Sequence, residues 1–398
     1  MGGSALPTGA SASQRSEDGA TIQVSEVPLP NLGRVLVTHD WLVTWAGSER
    51  VLAEILRILP GSDLVVGVVS PEMREYNHVT TQARESWLSR LPGARRHYQW
   101  LVALEAAAFW TIDTSQYDFV VSSSHAFAKA VRPGRKGRHL SYCYSPPRYL
   151  WDLYETYSTR TTWFRRVALR VGRRPLQVLD RATAAGVTHF VGISQFVAQR
   201  IERAYGRGAK VVYPPVTLKR PVAPAGASRS GEFLLYLGRL VPYKRVDLLL
   251  QAAGKLGVRV VIAGDGPDRI RLERLGGPRA EFVGAVSEAR AAELLEDCAA
   301  FVFCGEEDFG IAPLEANGHG APVVAYRGGA ILETMFEGVT AELFGEPTVE
   351  SLVEAIRHAT SRSWDDGALR RNAARFSPER FRRELSWVLQ AAAEGEPW

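Results

Sequence analysis

Short apolar runs alternate with amphipathic helical segments along most of this 398-residue chain. The runs begin at Arg34, Leu64, Phe119, Leu140, Phe190 and Val211, and again at Phe233, Val258, Glu281 and Ala300. A buried parallel strand followed by a crossover helix produces this rhythm. The sequence therefore predicts an α/β protein with doubly wound parallel sheets, whose ligands bind beyond the carboxyl ends of the strands.

The rhythm stops near Pro214, and residues 217–231 (TLKRPVAPAGASRSG) have the Pro, Ala, Gly and Ser content of an interdomain linker. We therefore predict a first domain at residues 33–216 and a second at residues 232–378. Residues 1–32 contain no apolar segment of the kind found in a secretory signal, so we expect a disordered tail there.

Composition narrows the class of protein further. The three cysteines (Cys143, Cys298 and Cys304) form no CxxC pair, which favours a reducing cytoplasm. No apolar run approaches the ~20 residues of a membrane-spanning helix. The net charge of +5 is unevenly spread, since residues 33–212 carry +11 and residues 213–398 carry −4. The first half is therefore expected to face an anionic partner.

The stretch from residue 301 to residue 330, FVFCGEEDFGIAPLEANGHGAPVVAYRGGA, combines a predicted strand, an acidic loop and a helix start. Gly310 allows close backbone approach, and Pro313 suits a first helical turn. Glu307 on the loop and Glu315 on the helix could bind hydroxyl groups, and the helix end could bind an anionic oxygen. The alternative is two surface charges beside a turn. Strands on both sides favour a functional site.

Two cations follow the first strand of the second domain, in the segment LGRLVPYKR. Arg239 offers a planar fork of donors to phosphate oxygens, and Lys244 offers a compact charge. Fixed cations at a diphosphate would stabilise charge as a sugar–phosphate bond breaks. The alternative is that both are solvated surface residues, as most Arg and Lys are.

The pattern Glu307-x7-Glu315, followed by Gly-Ala-Pro-Val-Val at 320–324 and by Gly328-Gly329, resembles the donor-binding signature of retaining family 4 glycosyltransferases. That resemblance implies the GT-B architecture, in which two Rossmann-like domains face a central cleft. It also implies that the final helix, residues 379–398, crosses back to the first domain.

The resemblance implies roles for individual residues. Arg239 and Lys244 would bind the diphosphate, Glu315 the ribose, and Glu307 the sugar hydroxyls. The remaining donor-binding candidates are backbone or loop positions: Gly47, Val283, Gly284, Phe309, Gly310 and Ile311. Gly47 belongs to a turn that is usually Gly-Gly-x-Glu, and Ala46 replaces its first glycine.

His125 lies at a predicted strand end, in the string SSSHAFAK. This string, together with His39-Asp-Trp and Ile193-Ser-x-Phe-Val-Ala, resembles a subgroup of mannosyltransferases of bacterial O-antigen and exopolysaccharide assembly. The family implies that His125 reaches the donor sugar and supports the reaction centre. Tyr144 and Thr217 depart from the subgroup, which usually has histidine and aspartate there.

The resemblance thus implies a retaining glycosyltransferase that moves a hexose, with mannose from GDP-mannose as the leading choice, to a saccharide or lipid-linked acceptor. It implies no cofactor and no catalytic metal, the nucleotide sugar being the co-substrate. Three alternatives remain open: an epimerase or hydrolase on the same fold, a UDP- or TDP-sugar transferase with a small-molecule acceptor, and a non-enzymatic basic surface-binding protein.

Two stretches, Trp87–Trp100 and Arg160–Arg174, combine arginine with aromatic residues. Segments of this kind can lie on anionic membranes, form solvated helix faces or contact nucleic acid. A lipid-diphosphate acceptor would explain a membrane contact, so we expect a cytoplasmic protein that can sit peripherally at the inner face of the membrane. No nucleic-acid partner is expected.

Overall fold

The computed structural model describes residues 31–135, 137–152, 163–218 and 231–398. The predicted tail and linker lie almost entirely outside these residues, and so does the start of the basic stretch at 160–174. Within them the chain forms two parallel sheets with helices on both faces. This is the predicted α/β GT-B arrangement of two Rossmann-like domains, and the fold prediction is confirmed.

The first sheet has the strand order β3-β2-β1-β4-β5-β6-β7 among the described residues. Its strands are β1 (Val35–Leu42), β2 (Asp63–Val69), β3 (Arg84–Glu85), β4 (Phe119–Ser124), β5 (Arg138–Cys143), β6 (His189–Gly192) and β7 (Ala209–Val211). All residues of β4 are buried, as expected for a strand covered on both faces. β1 pairs with β2 on one side and β4 on the other, so the loops after β1 and β4 meet at one sheet edge.

The helices of this domain are α1 (Gly47–Ile58), α2 (His78–Gln82), α3 (Ala94–His97), α4 (Val102–Trp110), α5 (Trp163–Ala184) and α6 (Gln195–Tyr205). Short 3-10 turns at Trp87–Arg90 and Tyr98–Trp100 flank α3. The basic-aromatic stretch 87–100 is therefore a series of short turns rather than one amphipathic helix. Arg95 within it is tied inward, to the Glu85 carboxylate at 2.8 Å and to the Val69 carbonyl at 3.1 Å.

The second sheet has the order β10-β9-β8-β11-β12-β13 in the part of the chain described. Its strands are β8 (Phe233–Leu237), β9 (Arg259–Ala263), β10 (Ala280–Gly284), β11 (Ala300–Phe303), β12 (Val323–Tyr326) and β13 (Ala341–Phe344). Its helices are α7 (Val246–Leu256), α8 (Arg269–Gly276), α9 (Glu288–Asp297), α10 (Ile311–Gly318), α11 (Ile331–Thr334), α12 (Val349–Ser361) and α13 (Asp366–Ala374).

The final helix, α14 (Pro378–Glu394), packs on the first domain. Ser377 caps it by accepting from the Arg380 amide, and Pro378 occupies the first turn, where its missing N–H costs nothing. Arg382 donates to Glu54 of α1 at 2.6 Å, and the Phe381 ring meets Tyr142 of β5 edge-on at 5.8 Å.

Candidate active site

A cleft of about 660 Å³ opens between the two domains at the carboxyl ends of their strands. The first domain contributes the loop after β1 and the end of β4. The second contributes the loops after β8 and β11 and the start of α10. The strand order places these segments together, because β1 and β4 are neighbours, as are β8 and β11.

Lys244 and Glu307 form an ion pair in this cleft. Lys244 ends a 3-10 turn (Pro242–Lys244) after β8, and Glu307 follows β11. Their side chains are 15% and 16% exposed, and the ammonium also lies 4.9 Å from the centre of the Phe303 ring. The pair is therefore partly desolvated, which strengthens its electrostatic interaction relative to a surface pair.

The helix α10 points its N-terminus into the cleft. Its N-cap is Gly310 with φ 89°, a left-handed conformation that glycine adopts without strain. Phe309 just before it is buried and stacks on Tyr213 with ring centres 5.9 Å apart. The first N–H groups of such a helix lack intrahelical partners, and together with the helix dipole they favour an anion.

The start of α1 faces α10 across the cleft. An ideal Cβ on Gly47 would lie 2.8 Å from the Cδ1 atom of Ile311, so the two helix starts are in close contact. Ala46 has φ −130°, an extended conformation open to any residue, and the Glu49 carboxylate accepts from its N–H at 2.9 Å. The replacement of the first family glycine by Ala46 thus introduces no backbone strain.

Arg50 of α1 bridges the cleft to two carboxylates of the second domain. It lies 2.8 Å from Glu315 and 2.8 Å from Glu288. Glu315, predicted as the ribose ligand, is therefore held in place by the opposite domain.

A second set of cross-domain contacts fixes the acidic loop itself. Asp308 pairs with Arg148 and with Arg200, whose side chain is only 3% exposed, and Arg200 also pairs with Glu306 at 3.3 Å. Burial raises the pKa of Asp308, and the two arginines oppose that rise. Glu307 lies between these two acids, so ion pairs to the first domain hold its loop on both sides.

The second domain also caps a helix of the first. The Glu333 carboxylate accepts from the backbone N–H groups of Gln195 and Phe196, both at 2.8 Å, in the first turn of α6. Ser194 accepts from Val197 at 3.0 Å and donates to the Asp308 carbonyl at 2.6 Å. The N-terminus of α6 is therefore satisfied only with the second domain in place.

His125 lines the cleft from the end of β4. Its side chain is 30% exposed, and its ring meets Trp41 edge-on with centres 4.7 Å apart. Tyr144, where the mannosyltransferase subgroup usually has histidine, also lines the cleft and donates to the Ser48 carbonyl at 2.9 Å. Tyr144 thereby ties the loop that carries Gly47 to the end of β5.

Comparison with known proteins finds similarity to glycosyltransferases. Residues 223–376 match the family model of glycosyl transferases group 1. The matched residues lie almost entirely in the second domain, and they include the Glu307–Glu315 pattern.

A D-inositol 3-phosphate glycosyltransferase of Mycobacterium bovis is 28% identical over 225 residues, 47% of each chain, so the match spans about half of that relative. Two solved structures share the whole GT-B fold with this chain. The Anabaena protein HepE in complex with UDP-glucose has a TM-score of 0.65 at 16% identity, covering 90% of this chain and 100% of that one. The sucrose-phosphate synthase of Thermosynechococcus elongatus has a TM-score of 0.63 at 16% identity, covering 92% and 98%.

The structure brings most of the predicted site residues to one place. Those that line the cleft, with two from the first domain, are Gly47, His125, Lys244, Glu307, Phe309, Gly310, Ile311 and Glu315. Arg239, Val283 and Gly284 do not line it among the described residues, and the Arg239 side chain is exposed. Their assignment to the donor stays a prediction.

Two residues at the site were missed by sequence reasoning. Arg50 directly follows the Gly-Ser-Glu turn. The sequence could have indicated it only as a basic residue at the start of a helix, in a protein whose second domain is acidic. Asp40 follows His39 in a string used for the family resemblance, but its partners lie 85 residues away. In the described part of the chain, no helix is long and apolar enough to cross a membrane, and no group of three or more His, Cys, Asp or Glu is placed to hold a metal.

Proposed function

We propose that this protein is a retaining glycosyltransferase that moves a hexose from a nucleotide-diphosphate sugar to a saccharide or lipid-linked glycan. The observation that carries the proposal is the Lys244–Glu307 pair, which lies in one interdomain cleft with Glu315 and the N-terminus of α10. The cleft thus offers a cation and helix N–H groups for a diphosphate, and a carboxylate each for a ribose and for a sugar.

The donor would lie along the second domain. Lys244 and the first N–H groups of α10 would hold the diphosphate, since both favour negative charge. Glu315 would accept from the ribose hydroxyls, while Glu307 and the backbone at Phe309 and Gly310 would bind the sugar. The exposed Arg239 side chain would turn onto the phosphates once the donor is bound.

The start of α1 would close over the donor from the first domain. Gly47 lies beside the Ile311 side chain, so a phosphate held at the N-terminus of α10 would also lie near the first N–H groups of α1. Val283 and Gly284 end β10, and the segment that follows them, whose Val286 and Glu288 line the cleft, would bring this strand end toward the nucleotide base.

The reaction breaks the bond between the anomeric carbon and the phosphate oxygen and forms one to the acceptor oxygen. With retention of configuration, the acceptor hydroxyl attacks from the face that the phosphate leaves, and the leaving phosphate takes the hydroxyl proton. The chain's contribution is electrostatic: Lys244 and the α10 N-terminus stabilise the charge that develops on the nucleoside diphosphate.

We infer GDP-mannose as the donor from the resemblance to the mannosyltransferase subgroup. A second candidate is a UDP-sugar donor with a small-molecule acceptor. It is favoured by the structural neighbour that holds UDP-glucose and by the sequence relative named for D-inositol 3-phosphate. The surplus of positive charge at residues 33–212 fits either a phosphorylated acceptor or a peripheral contact with an anionic membrane.

A thermal-shift screen of GDP-, UDP- and TDP-sugars separates the donors. A donor present at 100 times its dissociation constant adds about 2.7 kcal/mol to the free energy of unfolding. No shift with any donor would refute the proposal and favour a non-enzymatic surface-binding protein.

The type of reaction needs a second measurement. Labelled donor is incubated with and without a polyprenyl-diphosphate-linked saccharide, and the products are separated. A transferase forms labelled product only with the acceptor, whereas an epimerase or hydrolase consumes the donor without one. The Glu306→Gln variant serves as a control for Glu307→Gln, because it removes the adjacent charge of the same loop.

A further inference from the structure

A carboxylate at the end of β1 lies directly behind His125. Asp40 is fully buried and accepts three backbone hydrogen bonds from the loop after β4. Its Oδ2 atom accepts from the amides of His125 at 2.6 Å and Ala126 at 3.0 Å, and its Oδ1 atom accepts from the amide of Ala128 at 2.6 Å. The loop that carries His125 is therefore folded around this carboxylate.

The same carboxylate contacts the imidazole ring. The Nδ1 atom of His125 lies 3.2 Å from Oδ2 of Asp40. Burial disfavours the charge on Asp40, but His125, His39 and the backbone donors outweigh it, so the pKa of Asp40 lies below its usual value. An unprotonated Nδ1 would turn its lone pair toward this ionised carboxylate and be repelled by it, so the 3.2 Å contact favours a proton on Nδ1.

The other ring nitrogen of His125 is left for a ligand. Burial lowers the pKa of His125, with Asp40 and Glu49 opposing this shift and His39 and Lys129 adding to it. The ring is therefore neutral near pH 7, and its Nε2 atom has a lone pair instead of a proton. Within the described residues Nε2 has no hydrogen-bond partner, and the ring lines the cleft.

Aromatic neighbours fix the plane of the ring. Trp41 packs edge-on against it at 4.7 Å, and Tyr144 lies on another side at 6.1 Å between ring centres. A rotation of the ring about its Cβ–Cγ bond would move Nδ1 away from Asp40 and turn the ring plane against both aromatic neighbours.

We propose that Asp40 is a positioning residue that fixes His125 as the Nδ1–H tautomer, so that Nε2 accepts a hydrogen bond from a hydroxyl of the transferred sugar. The identity of the ligand rests on the proposed function. The tautomer does not, because it follows from the Asp40 contacts alone.

Nitrogen NMR of the wild-type protein tests the tautomer directly. The chain has 8 histidines, so ¹⁵N-histidine-labelled protein is compared with the His125→Gln variant to assign the His125 signals. Near neutral pH we expect a protonated Nδ1 and an unprotonated Nε2. A proton on Nε2 in the free protein would overturn the proposal, whatever the enzymatic activity.

The Asp40→Asn variant tests the consequence, with Asp180→Asn as a matched control. Asp180 is equally buried in the first domain, 2.7 Å from Lys129, and does not line the cleft. Both variants should lose thermal stability, but only Asp40→Asn should move the His125 nitrogen signals and lower kcat by at least ~10-fold.

The outcomes separate the proposals. If Asp40→Asn is too unstable to purify, the wild-type spectrum still decides the tautomer. Unchanged His125 signals and kcat in a folded Asp40→Asn protein would overturn the role of Asp40. A wild-type protein with the expected tautomer but no transfer to any acceptor would refute the proposed function and leave the Asp40 assignment in place.

Discussion

From the Lys244–Glu307 ion pair we expect that one substitution strengthens the binding of a nucleoside diphosphate but lowers the turnover of the sugar donor. In the ligand-free protein Glu307 pairs with the ammonium of Lys244. A diphosphate that binds Lys244 must therefore compete with this carboxylate. Replacing Glu307 by glutamine should therefore tighten the binding of a free nucleoside diphosphate, which has no sugar for Glu307 to hold. The same change should lower turnover, since the sugar loses a ligand.

The size of the effect follows from the partial burial of the pair. Two unit charges 4 Å apart interact with about 4 kcal/mol at an effective dielectric constant of 20, and exposed pairs contribute about 0–1 kcal/mol. Side chains that are 15% and 16% exposed lie between these limits. We take about 1.4 kcal/mol, which is tenfold in a dissociation constant.

Calorimetric titration with GDP and UDP measures this directly. We expect Glu307→Gln to bind the diphosphate about 10-fold more tightly and Lys244→Met to bind it about 10-fold more weakly. Both should lose at least ~100-fold in kcat/KM with the sugar donor. Glu306→Gln, which faces Arg200 instead, should change neither value by more than about threefold. Equal or weaker diphosphate binding by Glu307→Gln would refute the competition.

Further variants test the surrounding structure. A Cβ on Gly305 would lie 2.8 Å from a backbone carbonyl oxygen and 2.9 Å from a backbone Cα of the β8 loop, so Gly305→Ala should cost about 1–3 kcal/mol in urea unfolding, whereas Gly254→Ala, with open space around it, should be neutral or stabilising. Arg200→Met should cost about 3 kcal/mol because it removes a buried guanidinium that pairs with Asp308, and the exposed Arg34→Met less than about 1 kcal/mol; equal losses would contradict this. Burial lowers the pKa of His139 to about 3, so between pH 6.5 and about 3 this residue takes up a proton only in the unfolded chain. The free energy of unfolding should therefore fall as the pH is lowered across that window, and less steeply in His139→Asn.

The sequence predicted the strands of both sheets well because each is a nearly continuous apolar run between turns. It missed β3 and β13, of two and four residues. The two-residue strand β3 is the pair Arg84–Glu85, one exposed and the other half-buried, so it has no apolar pattern and is defined only by its pairing with β2.

The candidate site was predictable where one local segment carries its residues, as with Glu307, Gly310 and Glu315. The contacts that hold them could not be predicted in the same way. Arg50 reaches Glu315 over 265 positions of sequence, and Arg200 reaches Asp308 over 108. Such pairs depend on how two separately folded sheets face one another, which no local pattern encodes.

The capping of α6 by Glu333 gives the protein a built-in reporter. If the domains part, the amides of Gln195 and Phe196 lose their acceptor and become open to solvent. The rate of hydrogen–deuterium exchange at these two amides would then report how often the two domains separate, without an attached label. A donor that holds the lobes together would slow uptake at these two amides more than at the interior of α1.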